Sequence, residues 1–469
     1  MPITFDTLPT SIRKPGKYFE FDRSLAVRTL PPNGQKVCII AAKTDKGVLP
    51  AGVPAQIYSD TEAAIYAGHG SEAHLMVLAA IKANPYLGLT IVLVDDADAS
   101  TVATGSLALT GTVESTGLIT LGIGNALYST APSRGDTLAD AAAALAAVVN
   151  AAQRCPVTAE AADGTLTFTA KNKGVNGNAI ALTVTHSVTG LMLALTAMAG
   201  GEGSPDITDA LAAIFAAGHT ILISPYNDVA NAQALRDHLA AAGHALEQRG
   251  AVGILGMTST MAKAITLAKS INGERVSLAL LPGTISLPCE LAAAYGAVKA
   301  SEEDPARPLN DLPLNGIAAP ALQHRLSRTE QESLLHNGVT PLEVGPGDKV
   351  QIVRAITTYT TSADGIEDVS MLDITAICSL DYIRTACRTR IALRFPRAKN
   401  TARVRAAIRS ELLDVLISCE DLEIAQNVLA HKEMLEIEVD GQDVTRANAA
   451  IPADIVKGLH VFAAKIMLL

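Results

Sequence analysis

Five short stretches of this chain are almost wholly apolar, and they restrict the fold more than any other feature. They are residues 37–42 (VCIIAA), 90–96 (TIVLVDD), 220–224 (TILIS), 251–257 (AVGILGM) and 276–281 (VSLALL). None shows the in–out alternation of a half-exposed strand. A strand apolar on both sides must be covered on both sides, as in the parallel sheets of α/β proteins. Segments with helical spacing lie between them, at 60–67, 71–84, 206–217, 228–248 and 259–271. Gly250 and Gly273 stand where the left-handed residue after a helix belongs. Strand and helix in alternation predict an α/β fold with a doubly wound parallel sheet, assigned to residues 31–97 and 205–335.

The sheet is split. From 98 to 204 the pattern changes to short strands punctuated by glycine: 105–111, 117–124, 165–170, 178–186 and 191–198. One helix interrupts them. Thr137 and Asp140 form its N-terminal capping signal, an alanine-rich run propagates it, and Pro156 stops it. We expect an inserted β-rich domain whose ends, 95–98 and 204–206, lie close together. The segment 171–178 (KNKGVNGN) reads as a loop.

The α/β topology does not by itself make an enzyme. The chain holds no GxSxG elbow, no GxxxxGK[ST] loop and no HExxH. Ser224 and Asp228 follow a strand, where α/β active sites form, but capping and turn formation explain them as well. Ser286 and the glycines of 199–206 (AGGEGSPD) give no catalytic or phosphate-binding spacing. His69 and His74, five apart, do not share a helix face. The six cysteines include no CxxC pair, which fits reduced thiols and gives no metal signature. We expect no cofactor and no metal. With a net charge of −10, 3% aromatics and no Trp, we expect no direct nucleic-acid binding. No apolar run is long enough to span a membrane, and MPITFDTLPT lacks a signal-peptide pattern. An α/β hydrolase-type enzyme with the β-rich module as substrate domain stays open as the alternative. It requires convergent polar groups in one pocket.

A Pro-rich, charged connector at 302–315 precedes an α+β module assigned to 340–454, and 341–347 is a further break. Residues 350–359 are rich in Val, Ile and Thr and predict a strand. A polar turn follows, then a helix with Leu380, Ile383, Cys387 and Ile391 on one face, closed by Pro396. A second helix aligns Val404, Ile408, Leu412 and Val415. Residues 433–439 (EMLEIEV) alternate as a strand, and Asp440-Gly441 signals a turn. Between 382 and 410 there are nine basic residues and no acidic one, a local reversal of the chain's net charge. Arg384/Arg388 and Arg390/Arg394 have i,i+4 spacing; with Arg397 and Lys399 they make a basic face, either solvated or applied to a partner.

Both ends read as arms. In residues 1–30, Pro2, Pro9 and Pro15 forbid helix, and Ile3, Phe5, Leu8 and Ile12 are scattered among polar residues. Such a segment lies on its own domain or adds a strand to a neighbour. At the other end, 455–469, Leu459, Val461, Phe462, Ile466 and Leu468 sit in a run whose only charge after His460 is Lys465. A free edge this apolar invites aggregation. It needs cover from its own sheet or from another subunit's.

The order of these features carries a family resemblance. IVRAITT, an acidic turn, LDYIR, a basic helix and the Phe395–Pro396 pair follow one another. GNAI follows a glycine loop, and the chain ends IPADIVKGLHVFAAKIMLL. Over most of the 469 residues this resembles the tail sheath proteins of contractile phages, specifically the Mu-like group. The resemblance implies a subtilisin-like core, extended arms exchanged as strands between sheath subunits, and no enzymatic activity. It implies a helical polymer around a tail tube, contracting to drive the tube through the host envelope during genome ejection. It also implies that the basic face meets an acidic tail tube protein, and that baseplate and tail terminator proteins are further partners. The location implied is the virion tail, with assembly in the host cytoplasm.

Overall fold

The computed structural model describes residues 13–19 and 30–468. These form two compact units. The first is Asn33–Tyr382 with Ile455–Leu469, and the second is Ile383–Asp454 with the described residues before Asn33.

The first unit begins with β1 (Val37–Ala42), β2 (Pro54–Ile57), α1 (Asp60–Ala67), α2 (Glu72–Ala83) and β3 (Leu89–Val94). The insertion then runs through β4 (Val102–Gly111), β5 (Ile119–Ile123), β6 (Ala126–Thr130), α3 (Leu138–Ala151), β7 (Val157–Ala162), β8 (Thr165–Lys173), β9 (Leu182–His186) and β10 (Leu191–Ala199). The core resumes with α4 (Thr208–Ile214), β11 (Ile221–Ile223), α5 (Val229–Gly243), β12 (Val252–Met257), α6 (Met261–Ile271), β13 (Val276–Leu280) and α7 (Pro288–Ser301). It ends with α8 (Arg328–His336), β14 (Thr340–Val344), β15 (Val350–Ile352) and the start of α9 (Ile374–Arg394).

One eight-stranded sheet has the order β15-β14-β13-β12-β11-β1-β3-β2. Its neighbours are parallel except at the two outermost pairs, β14–β15 and β2–β3. All five apolar runs became its inner strands. Val37, Ile39 and Ala41 face one core with α2 and α7; Cys38, Ile40 and Ala42 face another with α4, α5, α6 and α8. Helices on both faces explain why these strands lack polar alternation. At Gly256 in β12 a Cβ would come within 2.6 Å of α7 backbone, so only glycine lets that helix lie so close.

Three local expectations are corrected. The left-handed residue closing α6 is Asn272, not Gly273. α5 ends at Gly243, so Gly250 is not its cap; a side chain at Gly250 would instead collide with the Asp381 carboxylate. The strand expected over 350–359 stops at Ile352, after which only an isolated bridge, Ile356 to Asp373, continues the pairing. Residues 340–382, assigned from sequence to the C-terminal module, supply β14, β15 and the first two turns of α9 to this unit.

The insertion consists of a four-stranded sheet, β10-β4-β8-β7, a three-stranded sheet, β6-β5-β9, and α3. As its sequence signal implied, α3 is capped by Thr137, whose hydroxyl accepts from the Asp140 amide at 3.1 Å. Ala103, Leu107 and Phe168 of the insertion belong to the same apolar cluster as Ile39, Met76 and Tyr295. Polar ties reinforce the joint. Asn172 Nδ2 donates to Lys43 O (2.9 Å) and Asp96 Oδ1 (3.1 Å), and Asn176 Nδ2 donates to Glu72 Oε1 (2.5 Å).

In the second unit α9 is followed by α10 (Ala402–Asp421), β16 (Glu436–Val439) and β17 (Ala447–Ala450). α10 buries Leu412, Val415, Leu416 and Cys419. Arg409 donates to the carbonyls of Leu435 and Lys432, both at 2.6 Å, fixing the approach to β16. β16 and β17 form an antiparallel ribbon of two strands, Glu436 opposite Ala450 and Val439 opposite Ala447. Among the described residues neither outer edge of that ribbon has a strand partner.

Candidate functional site

The residues weighed for catalysis have structural work. Asp228 caps α5, accepting from the Asn231 amide at 3.0 Å. Ser224 Oγ accepts from the Tyr226 amide. Ser286 Oγ accepts from Ala318 N (2.8 Å) and donates to Asn125 Oδ1 (3.0 Å). His74 Nδ1 accepts from Gly70 N, so its Nε2 proton points to Asp60, 2.7 Å away. Among the described residues no three His, Cys, Asp or Glu side chains group as metal ligands, and no helix is long and apolar enough to cross a membrane.

The basic face divides in two. Arg390, with a side chain only 5% exposed, donates to Glu411 (3.0 Å) and Asp414 (2.8 Å) on α10. Arg394 lies 3.7 Å from the same Glu411. These two charges are neutralised between the helices, and a buried guanidinium without such partners would be costly. Arg384 is half-buried, whereas Arg388, Arg397 and Lys399 are exposed. The acidic partners were legible only as the return of acidic residues at 411 and 414, three apart on one helix face.

A second pair, absent from the sequence reading, lies in the first unit. Arg275 donates to Asp381 through two bonds, of 2.6 and 3.1 Å. Burial opposes the charge on Arg275, but its bonds to Asp381 raise its pKa above the ordinary value. Asp381 is the Asp of LDYIR, so that motif fixes α9 to the sheet.

The tail forms no strand. Residues 461–468 are all exposed, with Phe462 82% and Ile466 97% accessible. Leu459, Val461 and Leu468 are exposed as well. Ile3, Phe5, Leu8 and Ile12 lie outside the described residues. Among the described residues the molecule thus offers an open two-stranded ribbon and an exposed apolar tail, while the residues weighed for catalysis serve caps and turns. These features fit a class of structural subunits.

Comparison with known proteins gives the class its family. Residues 200–358 match the phage tail sheath protein central domain, and 367–468 the phage tail sheath C-terminal domain. Along its length the chain is 30% identical to the Mu-like prophage FluMu tail sheath protein of Haemophilus influenzae, covering 99% of each. A sheath tail protein of Desulfitobacterium hafniense shares the fold at 16% identity, with 91% of this chain and 94% of that one covered and a TM-score of 0.50. So does the sheath complex of an extracellular contractile injection system in its contracted state, at 11% identity, 98% coverage of both and 0.50. The chain belongs to the phage tail sheath protein family. It is a contractile tail sheath subunit, a structural protein of the virion tail and not an enzyme, and the hydrolase alternative is set aside.

Proposed function

We propose that this subunit polymerises as a helical homo-polymer around a tail tube, held together by exchanged strands, and shortens to drive the tube through the host envelope during genome ejection. The observation that carries the reading is the tail: eight consecutive exposed residues, 461–468, apolar but for Lys465. They gain backbone partners by joining the open edge of a neighbour's β16–β17 ribbon. A two-stranded ribbon is marginal alone and gains stability from each added strand. Four to six such bonds, at about 1 kcal/mol net each, would tie subunits together. Glu436 and Glu438 on that ribbon suit a tail whose charges are Lys457 and Lys465. Residues 1–30, with Ile3, Phe5, Leu8 and Ile12, act as the second arm.

A repeating one-way donation builds an open, head-to-tail polymer. In it the α/β core, subtilisin-like in topology, supplies new contacts on contraction, and the insertion faces outward. The exposed Arg388, Arg397 and Lys399 face an acidic tail tube through weak, salt-sensitive contacts that let the sheath slide. Baseplate and terminator proteins cap the two ends, and assembly takes place in the host cytoplasm. Electron microscopy tests the core of this: the full chain is expected to form hollow cylinders, and a chain ending at His460 is expected to form none. Normal cylinders from the shortened chain would refute strand donation.

A further inference from the structure

The exposed tail has a fixed root. Gly458 passes so close to Pro308 that a side chain would strike its ring. Two residues later His460 is held from two sides. Asn310 Nδ2 donates to its Nδ1 at 3.1 Å, which leaves the ring proton on Nε2. That nitrogen lies 3.3 Å from Asp373 Oδ1. Arg354 grips the same carboxylate through two bonds of 2.8 Å. Burial alone would raise the Asp373 pKa, but the adjacent His460 ring and the two bonds from Arg354 outweigh it and hold it well below the usual carboxylate range. The His460 side chain is 12% exposed, and every described residue after it is exposed.

We propose that His460 is the positioning residue of the C-terminal arm. Clasped between Asp373 and Asn310, it fixes where the arm leaves its own subunit and hence how far it reaches into a second copy of this chain. The proposal rests on the strand donation above. Without the clasp the free segment can extend back toward Ile455, five residues earlier (460 − 455). At about 3.5 Å per residue that adds roughly 17 Å of slack. A tether longer than the span it must bridge lowers the effective concentration of its free end at the neighbour's edge.

Two lysines make the clasp measurable, because Lys457 lies inside it and Lys465 outside. Trypsin acting on the dilute full chain, followed by mass spectrometry, is expected to cut after Lys465 well before Lys457. In His460→Ala the cut after Lys457 should accelerate about tenfold relative to Lys465, because local opening there becomes easier. His460→Gln, whose amide can reach both partners, should restore the parent ratio. The same variants are then polymerised. His460→Ala is expected to raise the protein concentration at which cylinders appear by about three- to tenfold, and His460→Gln to return it to the parent value. Both changes and both rescues are required: if either readout fails to move, or is not rescued by Gln, the assignment is overturned. The chain ending at His460 keeps the clasp and lacks the arm, so normal cylinders from it would instead sink strand donation, whatever the point variants do.

Discussion

Glu72 carries a charge that its surroundings oppose. It opens α2 as a glutamate should, favoured by the helix N-terminus, yet it is buried. Burial raises its pKa to about 7, against the lowering effect of the bond from Asn176. A raised acid pKa means the folded state holds its proton more tightly than the unfolded chain. Stability is therefore full below the ordinary glutamate range and falls as pH rises through about 7. Glu72→Gln keeps the acceptor for Asn176 and removes the charge. It is expected to stabilise the subunit by about 1–3 kcal/mol at pH 8 and negligibly at pH 4, as read from thermal or denaturant unfolding at the two values. None of this was legible in sequence. Glu72 reads as an ordinary first-turn residue because its partner, Asn176, is 104 positions away in what looks like a plain loop. The same distance hid Arg275 from Asp381 and His460 from Asp373, since pairing across a fold leaves no periodic trace.

Elements were legible in proportion to how one-sided their environment is. β1, β3, β11, β12 and β13 announced themselves because a strand covered on both faces must be apolar throughout. α7 left no such mark: twelve of its fourteen residues, Pro288 to Ala300 with Glu290 excepted, are buried, so no polar stripe gives it a period. β2 was missed for the opposite reason, being an edge strand with an exposed Pro54 and Gln56. The tail was read as a strand, and its described residues, 461–468, form none and are exposed. The basic helix shows how little a charge run says about direction, since Arg390 and Arg394 point to α10. The exposed remainder is testable as a unit. Replacing Arg397 and Lys399 together by Glu is expected to leave free cylinders intact. The same variant should lose assembly onto an acidic tail tube, and parent assembly should weaken between 0.05 and 0.5 M salt, about a threefold change in screening length. Co-sedimentation with tubes measures both.

At the scale of the whole chain, packed faces and open edges lie in different places. The eight-stranded sheet is covered on both faces by its two apolar cores. The ribbon and the tail are open. A polymer made this way can rearrange by swivelling at its connectors while each sheet stays packed, so large motion need not involve unfolding.

The shared core beneath the insertion limits how such a sheath can be re-engineered. Since Ala103, Leu107 and Phe168 belong to the same apolar cluster as Ile39 and Met76, clipping the segment out is expected to expose apolar surface. It would also leave Glu72 and Asp96 without their partners Asn176 and Asn172. The hairpin between β7 and β8 is less constrained on one side: in its two-residue turn, Asp163-Gly164, both residues have positive φ, and Asp163 is exposed while Gly164 is buried and accepts from Leu109 N at 2.9 Å. A short hydrophilic epitope inserted before Asp163, with Gly164 kept, is expected to leave the melting temperature within about 2 °C and cylinder formation unchanged. Antibody labelling of the grafted cylinders would then show whether that turn decorates the outside of the particle, making it a place for display.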